Sequence, residues 1–201
     1  MLPDSACTNK IDYSVSYSLL LRQGHTQTLM NPVAFAVDDL REQYMREMAL
    51  VRQTCERTGD GTAAIRRRSA VVDRILIEMW RRAFGGQPTP NIALLALGGY
   101  GRKDLFPYSD IDVLFAFADA NTEEQSKNAV RTIIQGMWDI GLRASPSSRT
   151  VKEAGRFDPD NLEFTLATLD RRFLAGHFLC TSSCIRRCCL AWCSASGTRL
   201  P

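Results

Sequence analysis

Two carboxylates stand one residue apart near the middle of the chain, shortly after a pair of glycines. The segment Leu97-Gly98-Gly99 is followed, after ten intervening residues, by Asp110-Ile111-Asp112. Side chains alternate between the two faces of a strand, so Asp110 and Asp112 project from the same face. Carboxylates about 6–7 Å apart along a strand can flank a pair of divalent cations about 3.5–4 Å apart. The spacing therefore predicts a site for Mg²⁺ or Mn²⁺, which prefer oxygen ligands.

The glycine pair predicts a second component of this site. Gly98 and Gly99 have no Cβ, so the backbone can approach a phosphate group closely and leave N–H groups to bind it. Either motif alone is more often a turn or a solvated strand edge. Asp112, however, lies within an apolar run, where an unpaired buried charge is costly. A bound cation or an open site explains that carboxylate better, so the combination indicates a site for phosphate and metal.

Hydrophobic periodicity predicts the elements that hold these residues. Apolar residues recur at helical spacing after Asp38 and again after Thr62, and Gly59-Asp60-Gly61 separates the two predicted helices. Continuous apolar runs of strand length then cover residues 92–97 and 111–117. The pattern thus predicts a helical pair followed by two strands that are covered on both faces.

The second half of the chain predicts three further helices and one short strand. Thr122 is expected to cap the helix that follows the second strand, and residues 141–144 are expected to form a third strand. Thr150 and Asp160 are expected to cap two more helices. The last of these helices is predicted from an apolar series that runs to a stop at Gly176, namely Leu162, Leu166, Leu169 and Phe173.

Composition and charge exclude several classes of function. The 201 residues are 45% hydrophobic and 23% charged, which is typical of a globular protein. No apolar run approaches the roughly 18–20 residues of a transmembrane helix, and no secretory signal is recognisable, so we expect a cytoplasmic protein without a membrane partner. Residues 31–170 are slightly acidic in net charge, which gives no electrostatic case for nucleic-acid binding.

The two ends of the chain differ from its middle. Residues 1–37 read as an irregular extension, and Met30 is a candidate for the true start. Residues 177–201 form a cysteine-rich tail with arginines and no acidic residue. Thiolates can bind zinc, but the short Cys-x-x-Cys pairs of zinc knuckles are missing. A reading-frame change near Gly176, or an unrelated truncated end, explains this tail more simply.

The central segment resembles the signature of the nucleotidyltransferase domain of protein-PII uridylyltransferases, within the DNA polymerase β-like superfamily. The resemblance rests on Gly98-Gly99-Tyr100-Gly101-Arg102 and on Phe106-Pro107-Tyr108-Ser109-Asp110-Ile111-Asp112, and it extends over about residues 38–176. It implies an α/β (α+β) nucleotidyltransferase fold, in which a small mixed sheet is flanked by helices and an N-terminal helical pair comes first.

The resemblance also implies a reaction, the transfer of UMP from UTP to a tyrosine hydroxyl of the signalling protein PII in nitrogen regulation, with release of pyrophosphate. Asp110 and Asp112 are then the catalytic residues, which bind two Mg²⁺ ions. Four further residues are implied to line the phosphate cradle or to neutralise its charge, and these are Gly98, Gly99, Ser109 and Arg102.

The chain departs from the superfamily pattern at several points. A third carboxylate usually comes from a later strand, but residues 142–145 contain none, and Asp139 lies at the end of a predicted helix. We expect the domain to be incomplete at its C-terminal end, without the phosphohydrolase and ligand-sensing domains of the enzymes it resembles. Two alternatives stay open: a catalytically silent fragment that retains nucleotide or PII binding, and a related nucleotidyltransferase with another acceptor.

Overall fold

The computed structural model of this chain describes residues 37–89, 91–156, 159 and 161–176. Most of the predicted N-terminal extension, the whole cysteine-rich tail and the predicted cap Asp160 lie outside the described residues. The described residues form six helices, which are α1 (Asp38–Thr58), α2 (Gly61–Ala83), α3 (Gly98–Gly101), α4 (Ala120–Asp139), α5 (Val151–Ala154) and α6 (Leu162–Ala167). They also form four strands, which are β1 (Ile92–Ala96), β2 (Ile111–Phe117), β3 (Ala144–Thr150) and β4 (Arg172–Gly176).

The four strands form one mixed sheet in the order β3-β2-β1-β4. Strand β1 runs antiparallel to β2 and β4, whereas β2 and β3 are parallel. The C-terminal end of β1 therefore lies at the same edge of the sheet as the N-terminal ends of the other three strands. The predicted class, a small mixed sheet flanked by helices with an N-terminal helical pair, is confirmed. None of the described helices is long and apolar enough to cross a membrane.

The two faces of the sheet pack against different helices. Val113, Phe115 and Phe117 of β2 belong to the larger core, together with the buried residues of α1, α2 and α4. Leu114 and Ala116 belong to a smaller core with residues of α5, against which α6 also packs. Because side chains alternate along a strand, Asp112 lies on the same face as this smaller core. The predicted site is therefore on the α5 and α6 side of the sheet.

The predicted cap of α4 is one of three expectations that the structure corrects. The helix begins three residues before the point where a Thr122 cap would place it, and its cap is Asp119. The Asp119 side chain accepts a hydrogen bond from the N–H of Thr122 at 2.8 Å. A carboxylate is at least as good a cap as a hydroxyl, so the stronger acceptor defines the start of the helix.

The other two corrections concern strands. The predicted third strand at residues 141–144 is displaced, because β3 begins at Ala144 and continues through a polar segment that contains Pro146. A proline is tolerated in this position because β3 is an edge strand of the sheet. The predicted final helix also ends early, since Phe173 lies in β4 and is paired with Leu95 of β1. The predicted Thr150 cap is confirmed as part of a capping box with Glu153.

The corrected cap of α4 gives a stability prediction. Asp119→Ala leaves N–H groups of the first turn without their acceptor, and we expect it to lower the free energy of unfolding by about 1 kcal/mol. Thr122→Ala, which keeps the backbone donor, is expected to cost less. Urea unfolding of both variants tests this order, and a larger loss for Thr122→Ala would restore the cap predicted from the sequence.

Candidate active site

The structure brings the glycine turn against the second carboxylate. The N–H of Leu97 donates a hydrogen bond of 3.0 Å to the carbonyl oxygen of Asp112, so Gly98 leaves β1 directly beside this residue. A Cβ atom at Gly98 would lie 3.7 Å from Oδ2 of Asp112. Gly98 also has a φ of +54°, a conformation that residues with side chains rarely adopt. Glycine thus leaves the carboxylate uncovered and allows the turn to form.

Helix α3 is a single turn with Gly98 and Gly99 at its start. The N–H groups of Gly101 and Arg102 donate to the carbonyls of Leu97 and Gly98, at 2.8 and 3.0 Å. The first N–H groups of a helix have no partner within it, so this end of α3 offers donors beside Asp112. The sequence analysis assigned the glycine turn and the Asp-x-Asp segment to one site. The two motifs are therefore close in space as well as in sequence.

The Asp112 carboxyl group has a pKa above the ordinary value of an aspartate. Partial burial raises its pKa, a hydrogen bond from Ser145 opposes this rise, and the neighbouring carboxylates of Asp110 and Glu163 add to it. Ser145 is the residue of β3 that pairs with Asp112. All of the influences that raise the pKa disfavour negative charge here, so a cation at this position would stabilise the ionised form.

Asp110 has a different environment. It comes directly before β2, and its Oδ1 lies 3.0 Å from Nε of Arg143. Both side chains are more than half exposed, so the ion pair is accessible to water. The N–H of Ile111 donates to the carbonyl of Arg143 at 2.7 Å, which fixes the two residues side by side. Sequence reasoning did not select Arg143, because nothing in the sequence indicates how β2 and β3 are aligned.

The remaining predicted residues lie around the turn. The guanidinium of Arg102 lies 2.5 Å from Oδ2 of Asp170 and 3.6 Å from Oδ2 of Asp104, so acidic neighbours already bind it. Ser109 is half-buried, and its N–H donates to the carbonyl of Phe106 at 3.2 Å. The two residues thus flank the segment that leads from α3 to Asp110.

A third carboxylate ligand is not found among the described residues. They contain no group of three or more His, Cys, Asp or Glu side chains that could hold a metal ion. Ser145 occupies the β3 position beside Asp112, and Asp139 accepts a hydrogen bond from Gln135 at the end of α4. Glu163 of α6 affects Asp112 electrostatically, a relation that sequence reasoning missed because fifty-one positions separate the two residues. The oxygen donors of Asp110 and Asp112 nevertheless suit a divalent cation whose other ligands are phosphate or water oxygens.

A partly buried polar cluster contacts the second half of the glycine turn. The hydroxyl of Tyr100 donates to Oδ1 of Asp73 at 2.7 Å, and Arg172 donates to both oxygens of the same carboxylate at 2.8 and 3.0 Å. Arg172 also donates to the carbonyls of Tyr100 and Gly101 at 3.2 and 3.1 Å. Burial and the charge of Asp73 raise the pKa of Tyr100, so its hydroxyl remains a donor. The sequence did not indicate this cluster, whose members come from α2, α3 and β4.

Fold and site together are consistent with a nucleotidyltransferase-like protein of the α/β class, although no protein-family model matches the chain. Comparison with known proteins gives a more specific class than the fold does. The chain is 32% identical, over 153 residues or 74% of its length, to a bifunctional uridylyltransferase/uridylyl-removing enzyme of Nitrosospira multiformis. Enzymes of the same name in Pseudomonas entomophila and Pasteurella multocida are 40% and 33% identical over 109 and 114 residues, which are 54% and 57% of this chain.

The similarity concerns only a segment of these enzymes. The chain matches 17% of the Nitrosospira protein and 12% and 13% of the other two. The resemblance to uridylyltransferases inferred from the central motif is confirmed, and the chain is homologous to one segment of the bifunctional enzymes.

Proposed function

We propose that this chain is a uridylyltransferase segment that binds UTP with Mg²⁺ or Mn²⁺ and transfers UMP to a tyrosine hydroxyl of PII in the cytoplasm. The observation that carries the proposal is the hydrogen bond from the Leu97 N–H to Asp112, which places the Gly98 turn beside this carboxylate in a chain homologous to uridylyltransferases. Close approach of a backbone turn to a carboxylate places phosphate donors and a cation ligand side by side.

The proposed reaction is a displacement at the α-phosphorus of UTP. The tyrosine oxygen forms a bond to this phosphorus while the bond to the α–β bridging oxygen breaks, so pyrophosphate leaves and the hydroxyl proton passes to solvent. Asp110 and Asp112 are proposed to hold the cation, which when bound supplies charge stabilisation for the triphosphate and for the attacking oxygen. The half-buried position of Asp112 supports this role, because its ionised form lacks a compensating positive partner among the influences on its pKa.

The glycine turn is proposed to bind the triphosphate. N–H groups at the start of α3 provide donors, and the missing Cβ atoms of Gly98 and Gly99 leave room for phosphate oxygens. Ser109 is proposed to line the same cradle. Arg102 is proposed to neutralise phosphate charge, and for this its guanidinium must exchange contact with Asp170 for contact with a phosphate.

Two aromatic side chains beside the carboxylates favour a protein as the acceptor. Phe106 is 57% exposed and Tyr108 is 83% exposed, two residues before Asp110. Tyr108 also has a φ of +67°, which is uncommon for a residue with a large side chain. Exposed aromatic residues are enriched in protein–protein interfaces, so these two side chains are suited to an acceptor such as PII.

A second candidate function is a silent fragment that binds nucleotide or PII without transferring UMP. The observation in its favour is the lack, among the described residues, of three ligating side chains around Asp112. In-line transfer depends strongly on geometry, since a misplacement of about 1 Å can cost roughly 100-fold in rate. Binding depends on fewer contacts, so it is expected to survive better than turnover.

The two candidates are separated by measuring binding and transfer on the same preparation. Calorimetry of the 201-residue chain with each of the four nucleoside triphosphates, with and without Mg²⁺, is expected to show Mg²⁺-dependent binding of UTP. Labelled UMP transfer to PII and to other acceptors then distinguishes an active segment from a silent one. Mg²⁺-dependent binding without transfer supports the silent fragment, and preference for another nucleotide or acceptor would redirect the function within the nucleotidyltransferase class. No binding of any triphosphate would overturn the proposal.

The aromatic side chains give a separate prediction about the acceptor. We expect replacement of Phe106 and Tyr108 by serine to weaken PII binding about 10-fold or more, because aromatic anchors often carry interface energy. UTP affinity should remain unchanged. Met45→Ser is a matched control, since Met45 is 62% exposed but lies on α1. Biosensor binding of PII measures the effect, and a loss of UTP affinity instead would assign the pair to nucleotide binding.

A further inference from the structure

We propose that Asp73, Tyr100 and Arg172 form a positioning clamp, which holds the glycine turn in the conformation that binds a triphosphate. The inference rests on the proposed function, because it assigns the turn to phosphate binding. None of the three side chains needs to touch the nucleotide. They would act through the backbone of α3, whose first residues lie beside Asp112.

Arg172 connects the turn to the sheet. Its side chain donates to the carbonyls of Tyr100 and Gly101, at the C-terminal end of α3. Carbonyls at the end of a helix have no partner within the helix, so an arginine that binds two of them restrains the last residues of this turn. The guanidinium also lies 5.4 Å from the centroid of the Tyr100 ring, within the range of a cation–π contact.

Asp73 connects the same turn to α2. It accepts the hydroxyl of Tyr100 and two guanidinium hydrogen bonds from Arg172, so one carboxylate joins both. Tyr100 is 1% exposed, and the side chains of Arg172 and Asp73 are 21% and 19% exposed. Limited access of water makes these bonds less sensitive to screening than a surface ion pair. Removing one partner leaves the others without compensation for their buried polar groups.

The clamp restrains the second half of α3, and it can therefore position the N–H donors at the start of this helix. Asp73 comes from α2 and Arg172 from β4, and both side chains form hydrogen bonds with the second half of α3. Its first half contains Gly98, whose positive φ is accessible to glycine and which lies beside the Asp112 carboxylate. If the second half shifts, the donors at the start of α3 shift relative to Asp112. Phosphate binding should therefore be more sensitive to this cluster than the stability of the whole domain is.

Arg172→Lys tests the inference, because lysine keeps the charge but cannot reproduce the forked hydrogen bonds. Arg82→Lys is the matched control. Arg82 is also 21% exposed and binds two carboxylates, Asp39 and Glu78, but it lies on the helical pair. Tyr100→Phe is a second variant that removes only the hydroxyl.

We expect Arg172→Lys to weaken Mg²⁺-dependent UTP binding by about 10-fold or more, and Tyr100→Phe to weaken it less, at a temperature where all variants are folded. Arg82→Lys should bind as the unchanged protein does. Hydrogen exchange of the Gly101 and Arg102 amides should accelerate in Arg172→Lys and not in Arg82→Lys. Unchanged exchange and unchanged affinity in Arg172→Lys would overturn the clamp, as would equal losses of affinity in both lysine variants. Absence of UTP binding by the unchanged protein would instead overturn the proposed function, and the exchange rates would still report whether the clamp restrains the turn.

Discussion

Asp112→Asn is expected to reduce Mg²⁺-dependent UTP affinity and UMP transfer by at least about 100-fold, and at the same time to stabilise the nucleotide-free protein at neutral pH. The loss of function follows from the proposed role, because an amide provides no negative charge to hold a divalent cation. The gain in stability follows from the environment of Asp112, where burial and two other carboxylates disfavour the ionised form. A residue selected for binding is then unfavourable for folding.

The pH dependence of this gain has a defined sign. The pKa of Asp112 is raised in the folded protein, so the folded state holds the proton more tightly than the unfolded state does. Stability of the unchanged protein therefore rises as the pH falls from the raised pKa toward the ordinary pKa of an aspartate. Asparagine carries no charge at any pH. The advantage of Asp112→Asn should be largest at neutral pH and should vanish in acid, below both values.

Urea unfolding at a series of pH values measures the stability, and calorimetry measures UTP affinity. Asp38→Asn is the control, because Asp38 is an exposed acidic residue in the first turn of α1. Asp38→Asn should leave UTP affinity unchanged, and it should not reproduce the gain in stability at neutral pH that is expected of Asp112→Asn. A variant Asp112→Asn that binds UTP normally and is less stable at every pH would assign a purely structural role to this residue.

The part of the site that the sequence predicts is the part encoded locally. Asp112 belongs to β2 and Asp110 directly precedes this strand, and the apolar run around Asp112 predicts both the strand and the alternation of its side chains. The glycine turn follows another apolar run. Antiparallel pairing of β1 with β2 then places the turn beside Asp112. The sequence analysis assigned these two local patterns to one site, and the strand pairing that brings them together is a finding of the structure.

The remainder of the fold and of the site depends on contacts between residues that are distant in the sequence. Asp73 and Arg172 are ninety-nine positions apart, and neither stands in a recognisable motif. Phe173 fits a helical series by its spacing, but pairing of β4 with β1 decides its conformation. Tertiary hydrogen bonding of this kind overrides a local periodicity. The metal ions and the assigned roles of the site residues stay predictions, to be decided by the binding and transfer experiments, and the domain boundaries stay predictions as well.

Gly101→Ala is expected to destabilise the fold by about 3 kcal/mol, a large effect for the addition of one methyl group. A Cβ atom at this position would overlap the carbonyl oxygen of Asp170 and would lie 3.1 Å from the carbonyl oxygen of Ala96. Both obstacles are backbone atoms, so no side-chain rotation can relieve the overlap. The chain must instead separate α3 from the end of β1 and from the backbone of Asp170, which precedes β4.

Gly61→Ala provides the matched comparison. Gly61 is the first residue of α2, and no atom lies within 4 Å of the position that its Cβ would occupy. This substitution should be neutral or stabilising by up to about 1 kcal/mol, because alanine loses less conformational freedom on folding than glycine does. Equilibrium unfolding in urea measures the difference between the variants. Equal midpoints for Gly101→Ala and the unchanged protein would contradict the close packing of α3 on the Asp170 backbone. If Gly101→Ala remains folded, its UTP affinity should also fall, because the displacement that admits the methyl group moves the phosphate-binding turn away from Asp112.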